Sequence, residues 1–318
     1  MTRVACIGEC MIELKQAQGD SQGGLFSRAF GGDTLNTAVY LARLGVEVDY
    51  ITALGDDPMS DEMLANWAAE GVGTGRVARL KGKLPGIYMI QTDEFGDRRF
   101  FHWRENSAAR SLMDLPETDD ILDSLATYAV VYLSAITLSI YSAPGRAKLI
   151  GVLYRARKHG ARIVFDTNFR ARGWPDPDVA RAVFDEAFAA SDIVLASAED
   201  LLPLYPYESD EQLMERIPCS EVVLKLLAPG SIVRFEGVLR EVRAEAVARP
   251  VVDTTAAGDS FSAAYIAARL QGAEPAEAAR AGHRLGGVVV CYPGAIIPRS
   301  AMPPDTLPDP APSRKASR

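Results

Sequence analysis

The chain has 318 residues, 48% of them hydrophobic and 24% charged, which is the balance of a globular protein with a large core. Its net charge of −8 argues against nucleic acid as a partner, because affinity for a polyanion comes from clustered Lys and Arg. The most apolar run, at 128–141, is shorter than the roughly 20 residues of a membrane helix, so we expect no membrane partner either.

The cysteines at 6, 10, 219 and 291 contain no CxxC pair. A chain of this size builds a core without crosslinks, and its first residues lack the charged and apolar segments of a secretion signal. These features predict a cytoplasmic protein with reduced thiols.

Short β-branched runs alternate with segments of helical periodicity along the chain. Strands are predicted at 4–7, 50–54, 130–133, 162–165, 193–196 and 222–226. Helices are predicted at 34–44, 58–70, 143–159, 177–190, 259–270 and 275–290, the first with Asp33 as N-cap and Gly45 after its end. Strands separated by helix-length crossovers pair in parallel, so this order predicts a mostly parallel sheet between two helical layers.

Two hairpins depart from this order. Residues 86–92 and 98–104 alternate around the turn at 93–97, and we expect them to form a small lid with strands near 11–30. Residues 231–235 and 238–242 are expected to border the main sheet. We predict one domain over 1–302 with these lid strands inserted, and a disordered Pro- and Ser-rich tail at 303–318.

The strongest chemical signal is DTTAAGDSF at 253–261, ahead of an Ala-rich helix. Ala256, Ala257 and Gly258 let the backbone approach a ligand, and the new helix offers unpaired N–H groups to a phosphoryl group. Asp259, in the first turn, is placed to accept a proton from an attacking hydroxyl. The simpler alternative is that Asp259 only caps the helix.

A second string, GGDTLNTA at 31–38, also precedes a helix. Its glycines allow close backbone approach, and Asp33 and Asn36 offer polar groups to hydroxyls. A plain turn with an Asp N-cap is the alternative, and both interpretations are compatible.

The two strings resemble the amino- and carboxy-terminal signatures of the ribokinase, or phosphofructokinase-B, family of sugar kinases. With IGECMIEL at 7–14 they further resemble the 2-keto-3-deoxygluconate kinases, which use ATP and Mg²⁺ to make the 6-phosphate of a keto acid. The resemblance covers the chain to about Pro298. It implies a ribokinase-like three-layer α/β/α domain with a small β-sheet lid, and Asp259 as the base that acts on the terminal (6-) hydroxyl.

The resemblance also assigns a substrate side. Its sugar-acid contacts are Gly32, Asp33, Asn36, Tyr88, His102, Arg104 and Arg170. Some relatives carry tyrosine where His102 stands. Asp166 follows a predicted parallel strand, where ligands of doubly wound sheets bind, with loop capping as the alternative. Because a carboxylate requires a cation, Arg104 and Arg170 are predicted to select a sugar acid over a neutral sugar.

On the nucleotide side, the resemblance implies contacts to ATP from Lys225, Gly230 and Gly258. His283 is a candidate neighbour of adenine, with a helix-surface histidine as the alternative. Asp200 stands where relatives carry an acidic residue that serves Mg²⁺, and we expect it to act through water.

Two other functions stay open at this stage. One is a fructokinase- or ribokinase-like kinase of a neutral sugar, and the other is a non-catalytic sugar or nucleotide sensor with the same fold. The sequence contains no GxxxxGK[ST], GxGxxG or GxSxG motif, which argues against P-loop kinases, nicotinamide dehydrogenases and serine hydrolases. Exposed lid edges predict a homodimer through the lid.

Overall fold

A nine-stranded sheet runs through the centre of the molecule in the computed structural model, which describes residues 2–16, 24–92, 98–247 and 249–308. The strands are β1 (Arg3–Ile7), β2 (Met11–Gln16), β3 (Phe26–Gly31), β4 (Glu47–Gly55), β5 (Val77–Leu80), β6 (Ile87–Thr92), β7 (Arg98–Trp103), β8 (Val130–Ser134), β9 (Arg162–Asp166), β10 (Ile193–Ser197), β11 (Glu221–Lys225), β12 (Gly230–Phe235) and β13 (Val238–Arg243). The α-helices are α1 (Asp33–Arg43), α2 (Pro58–Ala69), α3 (Thr118–Asp123), α4 (Ala135–Ile140), α5 (Ala143–Lys158), α6 (Pro177–Ala190), α7 (Ala198–Leu201), α8 (Asp210–Arg216), α9 (Ala257–Leu270) and α10 (Pro275–Val289).

The strand order of the main sheet is β13-β12-β11-β10-β9-β8-β1-β4-β5. All pairs from β11 to β5 are parallel, and β12 and β13 are added antiparallel at one edge. The predicted parallel sheet and its bordering hairpin are therefore confirmed. β5 was not predicted, because four residues are too few to show a period and its pairing with β4 supplies the signal.

Helices cover both faces of this sheet. Alternate residues of each buried strand belong to different cores: Val4 and Cys6 of β1 pack with α1, α2, α9 and α10, whereas Ala5 and Ile7 pack with α3 to α8. This two-residue alternation is the pleat of a strand that is buried on both sides. The three-layer architecture predicted from the sequence is confirmed.

Helix ends follow the local sequence. Asp57 and Asp176 accept backbone N–H groups at the starts of α2 and α6, each followed by proline in the first turn. Gly45, Gly71 and Gly160 have positive φ just past the ends of α1, α2 and α5. Because only glycine adopts that conformation without strain, these positions fix where the helices stop.

A separate four-stranded sheet, with order β3-β2-β6-β7, forms the lid. β2 pairs with β3 and β6 with β7 antiparallel, whereas β2 and β6 are parallel. The predicted turn at 93–97 lies outside the described residues. Glu13, Lys15, Tyr88, Phe100 and His102 share one face by register, and we call it the inner face.

Polar contacts among the described residues connect this lid to the main domain away from its base. On the inner face, Lys15 Nζ lies 3.7 Å from Asp253 Oδ2, and Arg172 Nη1 donates to the Phe100 carbonyl at 3.0 Å. On the other face, Arg28 of β3 forms a two-point pair with Glu62 of α2. The inner face therefore covers the carboxyl edge of the main sheet.

The first part of the predicted tail packs on the main domain. Thr306 is buried, and its carbonyl accepts from Arg284 Nη2 of α10 at 2.9 Å. Residues 309–318 lie outside the described residues, so disorder there stays a prediction. None of the helices in the described ranges combines the length and the apolar character needed to cross a bilayer.

Candidate active site

The amino-terminal ends of α1 and α9 meet above the carboxyl edge of the main sheet. Asn36 of α1 donates through Nδ2 to Asp259 Oδ2 of α9 at 2.8 Å. The Thr37 hydroxyl donates to the Asp259 carbonyl oxygen at 3.2 Å. The two strings singled out in the sequence, though far apart along the chain, therefore form one site.

The start of α9 has an unusual backbone. Ala256 is its N-cap and has left-handed dihedral angles, with φ 61° and ψ 14°. The Ala257 amide donates to the Thr254 carbonyl at 3.2 Å. The amides of Gly258 and Asp259 donate to no acceptor among the described residues, and they lie at the positive end of a 14-residue helix. This is the arrangement that binds a phosphoryl oxygen.

Asp259 does not cap α9. The helix begins at Ala257, two residues before the predicted start, and the side chain of Asp259 bonds to Asn36 instead of to its own helix. The capping interpretation of Asp259 is therefore wrong. Asp259 is a half-buried residue beside two amides that donate to no acceptor in the described part of the chain.

Three carboxylates and one ammonium group form the charged centre of the site. Burial raises the pKa of Asp259 well above its ordinary value, and the charges of Asp33 and Asp166 raise it further. The hydrogen bond from Asn36 and the charge of Lys225 act in the opposite direction. Lys225 Nζ lies 3.7 Å from Asp166 Oδ2.

Asp33 is the first residue of α1, and Gly32 is the N-cap, so the prediction that Asp33 caps this helix is wrong. A Cβ at Gly32 would lie 2.2 Å from the Glu9 carbonyl oxygen, and the chain therefore requires glycine at the cap. The carboxylate of Asp33 is directed instead at the strand ends, where it accepts from the Ser134 hydroxyl and from Asn168 Nδ2. Burial raises its pKa as well.

Asp166 is buried at the end of β9 and anchors α9. Its Oδ2 accepts from the Ser262 hydroxyl at 2.7 Å and from the Tyr132 hydroxyl at 3.3 Å, and its Oδ1 accepts from the Asn168 amide at 3.2 Å. The bond to Ser262 fixes the start of α9 relative to the sheet. Contact of Asp166 with a substrate stays a prediction.

Tyr88 and His102 are cross-strand partners on the inner face of the lid. Their rings stack with centroids 5.9 Å apart, and the Tyr88 hydroxyl donates to Glu13. Burial, followed by the charges of Arg104 and Arg172, lowers the pKa of His102. This shift favours the neutral imidazole, which offers one donor and one acceptor.

Each of the two predicted substrate arginines has a carboxylate partner. Arg104, just after β7, donates through Nε and Nη2 to Glu9 Oε2. Arg170 donates through Nη1 to Asp200 Oδ1 at 3.0 Å, and its side chain is 62% exposed. Both guanidinium groups are therefore oriented before any ligand binds.

Asp200 is the candidate metal residue. It is buried, and its Oδ2 accepts from the Thr167 hydroxyl at 3.1 Å. Burial raises its pKa, and Lys225 opposes this shift. Among the described residues no group of three or more acidic, His or Cys side chains is arranged to hold a metal ion.

The predicted nucleotide residues surround the start of α9. Lys225 Nζ would lie 3.5 Å from a Cβ placed on Gly258. His283 Nε2 lies 3.0 Å from Ser231 Oγ, and its ring meets Phe261 edge-on at 4.9 Å. Burial and the charge of Lys225 lower the pKa of His283 to about 4. His283 is packed between β12 and α9, so the surface interpretation does not hold.

Gly230 opens β12 at the far end of the loop that begins after Lys225. Its φ is +150°, and a Cβ there would lie 2.9 Å from the Val242 carbonyl oxygen. The Gly230 carbonyl accepts from the Leu226 amide at 3.0 Å, which closes the loop and leaves Leu227 71% exposed.

Sequence reasoning missed several polar residues of the site, among them Glu9, Glu13 and Ser134. Glu9 pairs with Arg104, Glu13 accepts from Tyr88, and Ser134 donates to Asp33. Glu9 and Ser134 come at or just after the carboxyl ends of buried strands, which is a usable signal. Glu13 lies within a lid strand, and only the strand pairing brings it to the site.

Comparison with known proteins gives consistent results. Residues 1–302 match the family described as pfkB family carbohydrate kinase. The 2-dehydro-3-deoxygluconokinase of Dickeya dadantii (strain 3937) is 42% identical over 309 residues, covering 94% of this chain and 98% of the relative. That of Escherichia coli (strain K12) is 39% identical over 310 residues, covering 95% and 99%. Among solved structures, the fructokinase with bound ATP from Xylella fastidiosa is 22% identical, covers 95% of each chain and superposes with a TM-score of 0.80.

Proposed function

The chain belongs to the pfkB family of carbohydrate kinases, and from that premise we propose that it transfers a phosphoryl group from ATP to the terminal (6-) hydroxyl of 2-keto-3-deoxygluconate. The two curated relatives named above carry the name of that activity at about 40% identity. The observation that carries the proposal is the Asn36–Asp259 bond, which joins both family strings at the start of α9.

Asp259 is the proposed base. The 6-hydroxyl of the sugar acid approaches its carboxylate, which takes the proton as the oxygen bonds to the γ-phosphorus of ATP. The bond from that phosphorus to the β–γ bridging oxygen breaks, and ADP is the leaving group. Asn36 orients the carboxylate and, with Lys225, opposes the rise in its pKa. The carboxylate is therefore kept available as an acceptor even though burial disfavours its charge.

The backbone of Ala256, Ala257 and Gly258 is the proposed cradle for the transferring group. The free amides of Gly258 and Asp259 donate to the equatorial oxygens as negative charge redistributes. Lys225, beside Gly258, adds a full positive charge close to the same place. Gly230 and His283 lie on the same side and are the proposed neighbours of the nucleotide.

The sugar acid is proposed to lie beneath the inner face of the lid. Gly32, Asp33 and Asn36 face it from the main domain, and Tyr88 and His102 from the lid. Arg104 and Arg170 supply the cations for its carboxylate, and Asp166 holds the base helix in place.

The residues present fit Mg²⁺ only as a loosely held ion. Mg²⁺ usually keeps several waters and binds through one or two carboxylates and the substrate phosphates. Asp200 is the proposed carboxylate, and Thr167 and Arg170 orient it. The ion would neutralise charge on the phosphates of ATP, and Asp200 would hold one of its waters.

The proposal is tested by coupled ADP release with ATP and Mg²⁺, comparing 2-keto-3-deoxygluconate with fructose, ribose and gluconate. We expect kcat/KM for the keto acid to exceed that of each other substrate by at least about tenfold, which corresponds to roughly 1.4 kcal/mol. Preference for fructose or ribose would overturn the substrate and keep the kinase. Absence of turnover with all of them would favour a sensor.

We also propose that two copies of the chain associate through the outer face of the lid, which is the face opposite the inner face and carries Arg28. Phe26, Phe101 and Trp103 share this face by register and are 42%, 40% and 56% exposed. Exposed aromatic side chains beside open strand edges are a favourable surface for pairing with a second copy.

A further inference from the structure

Glu9 lies where the chain passes between the main domain and the lid. It follows β1 on the way to β2, and its carbonyl oxygen stands against Gly32, where the chain returns. A Cβ on Gly86, just before β6, would lie 3.0 Å from Glu9 Oε1 and 3.1 Å from Arg104 Cβ. Each connection between the two parts therefore runs past this one residue, at its backbone or at its carboxylate.

The pair between Glu9 and Arg104 leaves part of the guanidinium unused. Both Nε and Nη2 donate to the same oxygen, Glu9 Oε2, so the carboxylate occupies the side edge of the guanidinium. Nη1 donates to no acceptor among the described residues. The end edge, formed by Nη1 and Nη2, thus keeps two N–H groups with the spacing that matches a carboxylate.

The exposed fractions of the two side chains indicate that Arg104, and not Glu9, is accessible to a ligand. The Glu9 side chain is 1% exposed and that of Arg104 is 19% exposed. Glu9 Oε1 is buried without a hydrogen-bond partner in the described part of the chain, as is the hydroxyl of nearby Tyr141, whose pKa is raised by burial and then by Glu9. A two-point pair with Arg104 would use both Glu9 oxygens, whereas the observed pair uses one oxygen and leaves the end edge of the guanidinium available.

We infer that Glu9 is a positioning residue for the sugar acid: it holds Arg104 by the side edge so that the end edge is presented to the substrate carboxylate. This inference rests on the proposed function, because it needs an anionic substrate. It goes further in assigning the selection of a carboxylate to a buried residue that does not touch the substrate. A neutral sugar gains nothing from this arrangement.

Three substitutions separate the effect of the length of the Glu9 side chain from the effect of its charge. Glu9→Ala removes the hold on Arg104. Glu9→Asp keeps the charge but withdraws it by one methylene, and Glu9→Gln keeps the reach and one acceptor oxygen without the charge. The readouts are KM for 2-keto-3-deoxygluconate, KM for ATP, kcat, and the melting temperature of each variant.

A positioning role predicts a specific order. KM for the keto acid should rise about tenfold or more in Glu9→Ala and Glu9→Asp and only a few-fold in Glu9→Gln, with kcat and KM for ATP within about twofold of the wild type. In an Arg104→Ala background, Glu9→Ala should add less than about twofold. Glu62→Ala, which breaks the other lid-to-body arginine pair, is the matched control and should leave all constants unchanged.

Two results would overturn the inference. If KM for the keto acid equals the wild-type value in all folded Glu9 variants, the pair only stabilises the lid. If this KM is unchanged in Glu9→Asp but raised in Glu9→Gln, the charge of Glu9 alone matters. If Glu9→Ala does not fold, the comparison of Glu9→Asp with Glu9→Gln still decides. A wild-type protein that does not phosphorylate the keto acid would instead reject the proposed function, so the two failures are distinguishable.

Discussion

At the scale of single residues, the fold disfavours the charge that the proposed chemistry needs. Burial and two neighbouring carboxylates raise the pKa of Asp259, and Asn36 and Lys225 oppose the rise without removing it. A group tuned in this way binds a proton more readily than an exposed carboxylate. For the same reason, the free energy of unfolding is lower at pH values where Asp259 is ionised.

Replacing Asp259 by Asn should separate activity from stability. We expect kcat to fall roughly 10²- to 10⁴-fold, because the base is lost. Between the ordinary carboxyl pKa of about 3.9 and the raised value, the folded protein holds a proton that the unfolded chain has released, so the free energy of unfolding declines as pH rises. That decline should be smaller in the variant, measured by denaturant titrations across the acidic range.

The control is Asp176→Asn, because Asn caps a helix as well as Asp does. It should change neither kcat nor the pH dependence of stability. Near-normal turnover in Asp259→Asn would reject the base assignment.

Lys225 should set the pH at which the base becomes active. Its charge lowers the pKa of both Asp259 and Asp200. Lys225→Met should therefore move the acidic limb of the kcat/KM profile to higher pH, so that the loss of activity is greater below neutral pH than above it. KM for ATP should also rise, since the ammonium group lies beside Gly258.

Lys148→Met is a suitable comparison, because Lys148 pairs with Asp119 far from the site. Its profile should coincide with that of the wild type. An unshifted acidic limb in Lys225→Met would mean that Lys225 does not tune the base.

At the scale of elements, the start of α9 depends on one strained alanine. A non-glycine residue in the left-handed region costs roughly 1–2 kcal/mol, and Ala256 adopts it so that the following amides point into the site. A glycine at this position would relieve the strain but would raise the flexibility of the unfolded chain, at a cost of about 0.5–1 kcal/mol. The net change in stability for Ala256→Gly should be within about 1 kcal/mol.

Ala256→Val gives the sharper test. A β-branched residue in this conformation should lower the free energy of unfolding by roughly 1–3 kcal/mol and reduce kcat, because the amide cradle is displaced. Chemical denaturation and steady-state kinetics measure both effects. The control is Glu236→Gly, which relieves a positive φ in the β12–β13 turn and should leave kcat unchanged. If Ala256→Val is as active and as stable as the wild type, the strain at Ala256 does not position the amides.

At the scale of the whole molecule, the architecture could be predicted from alternation and helix-ending glycines. α6 begins and ends at the predicted residues, and both hairpins lie where the alternating runs placed them. The placement of both family strings at helix starts could be predicted because it depends on local sequence. The ion pairs could not, because Glu9 and Arg104 are joined only by the way the lid folds back on β1. The cap of α1 was missed for a related reason, since it depends on contact between Gly32 and a distant carbonyl.

The proposed dimer is also a prediction at this scale. Trp103→Glu places a charge on the outer face of the lid and should convert the dimer to a monomer, as measured by sedimentation velocity. Tyr207→Glu changes an aromatic residue that is 96% exposed elsewhere and should leave the dimer intact. A wild-type protein that sediments as a monomer at all concentrations would reject the proposal.

The bond between Asn36 and Asp259 joins residues 223 positions apart and has a consequence for biosynthesis. At about 5–20 residues per second, a ribosome needs roughly 10–45 s to add the second residue after the first. During that interval β1, which becomes an interior strand of the sheet, is already synthesised, whereas α9 and α10, which cover one of its faces, are not. The nascent chain therefore lacks part of the covering of this face until translation is almost complete.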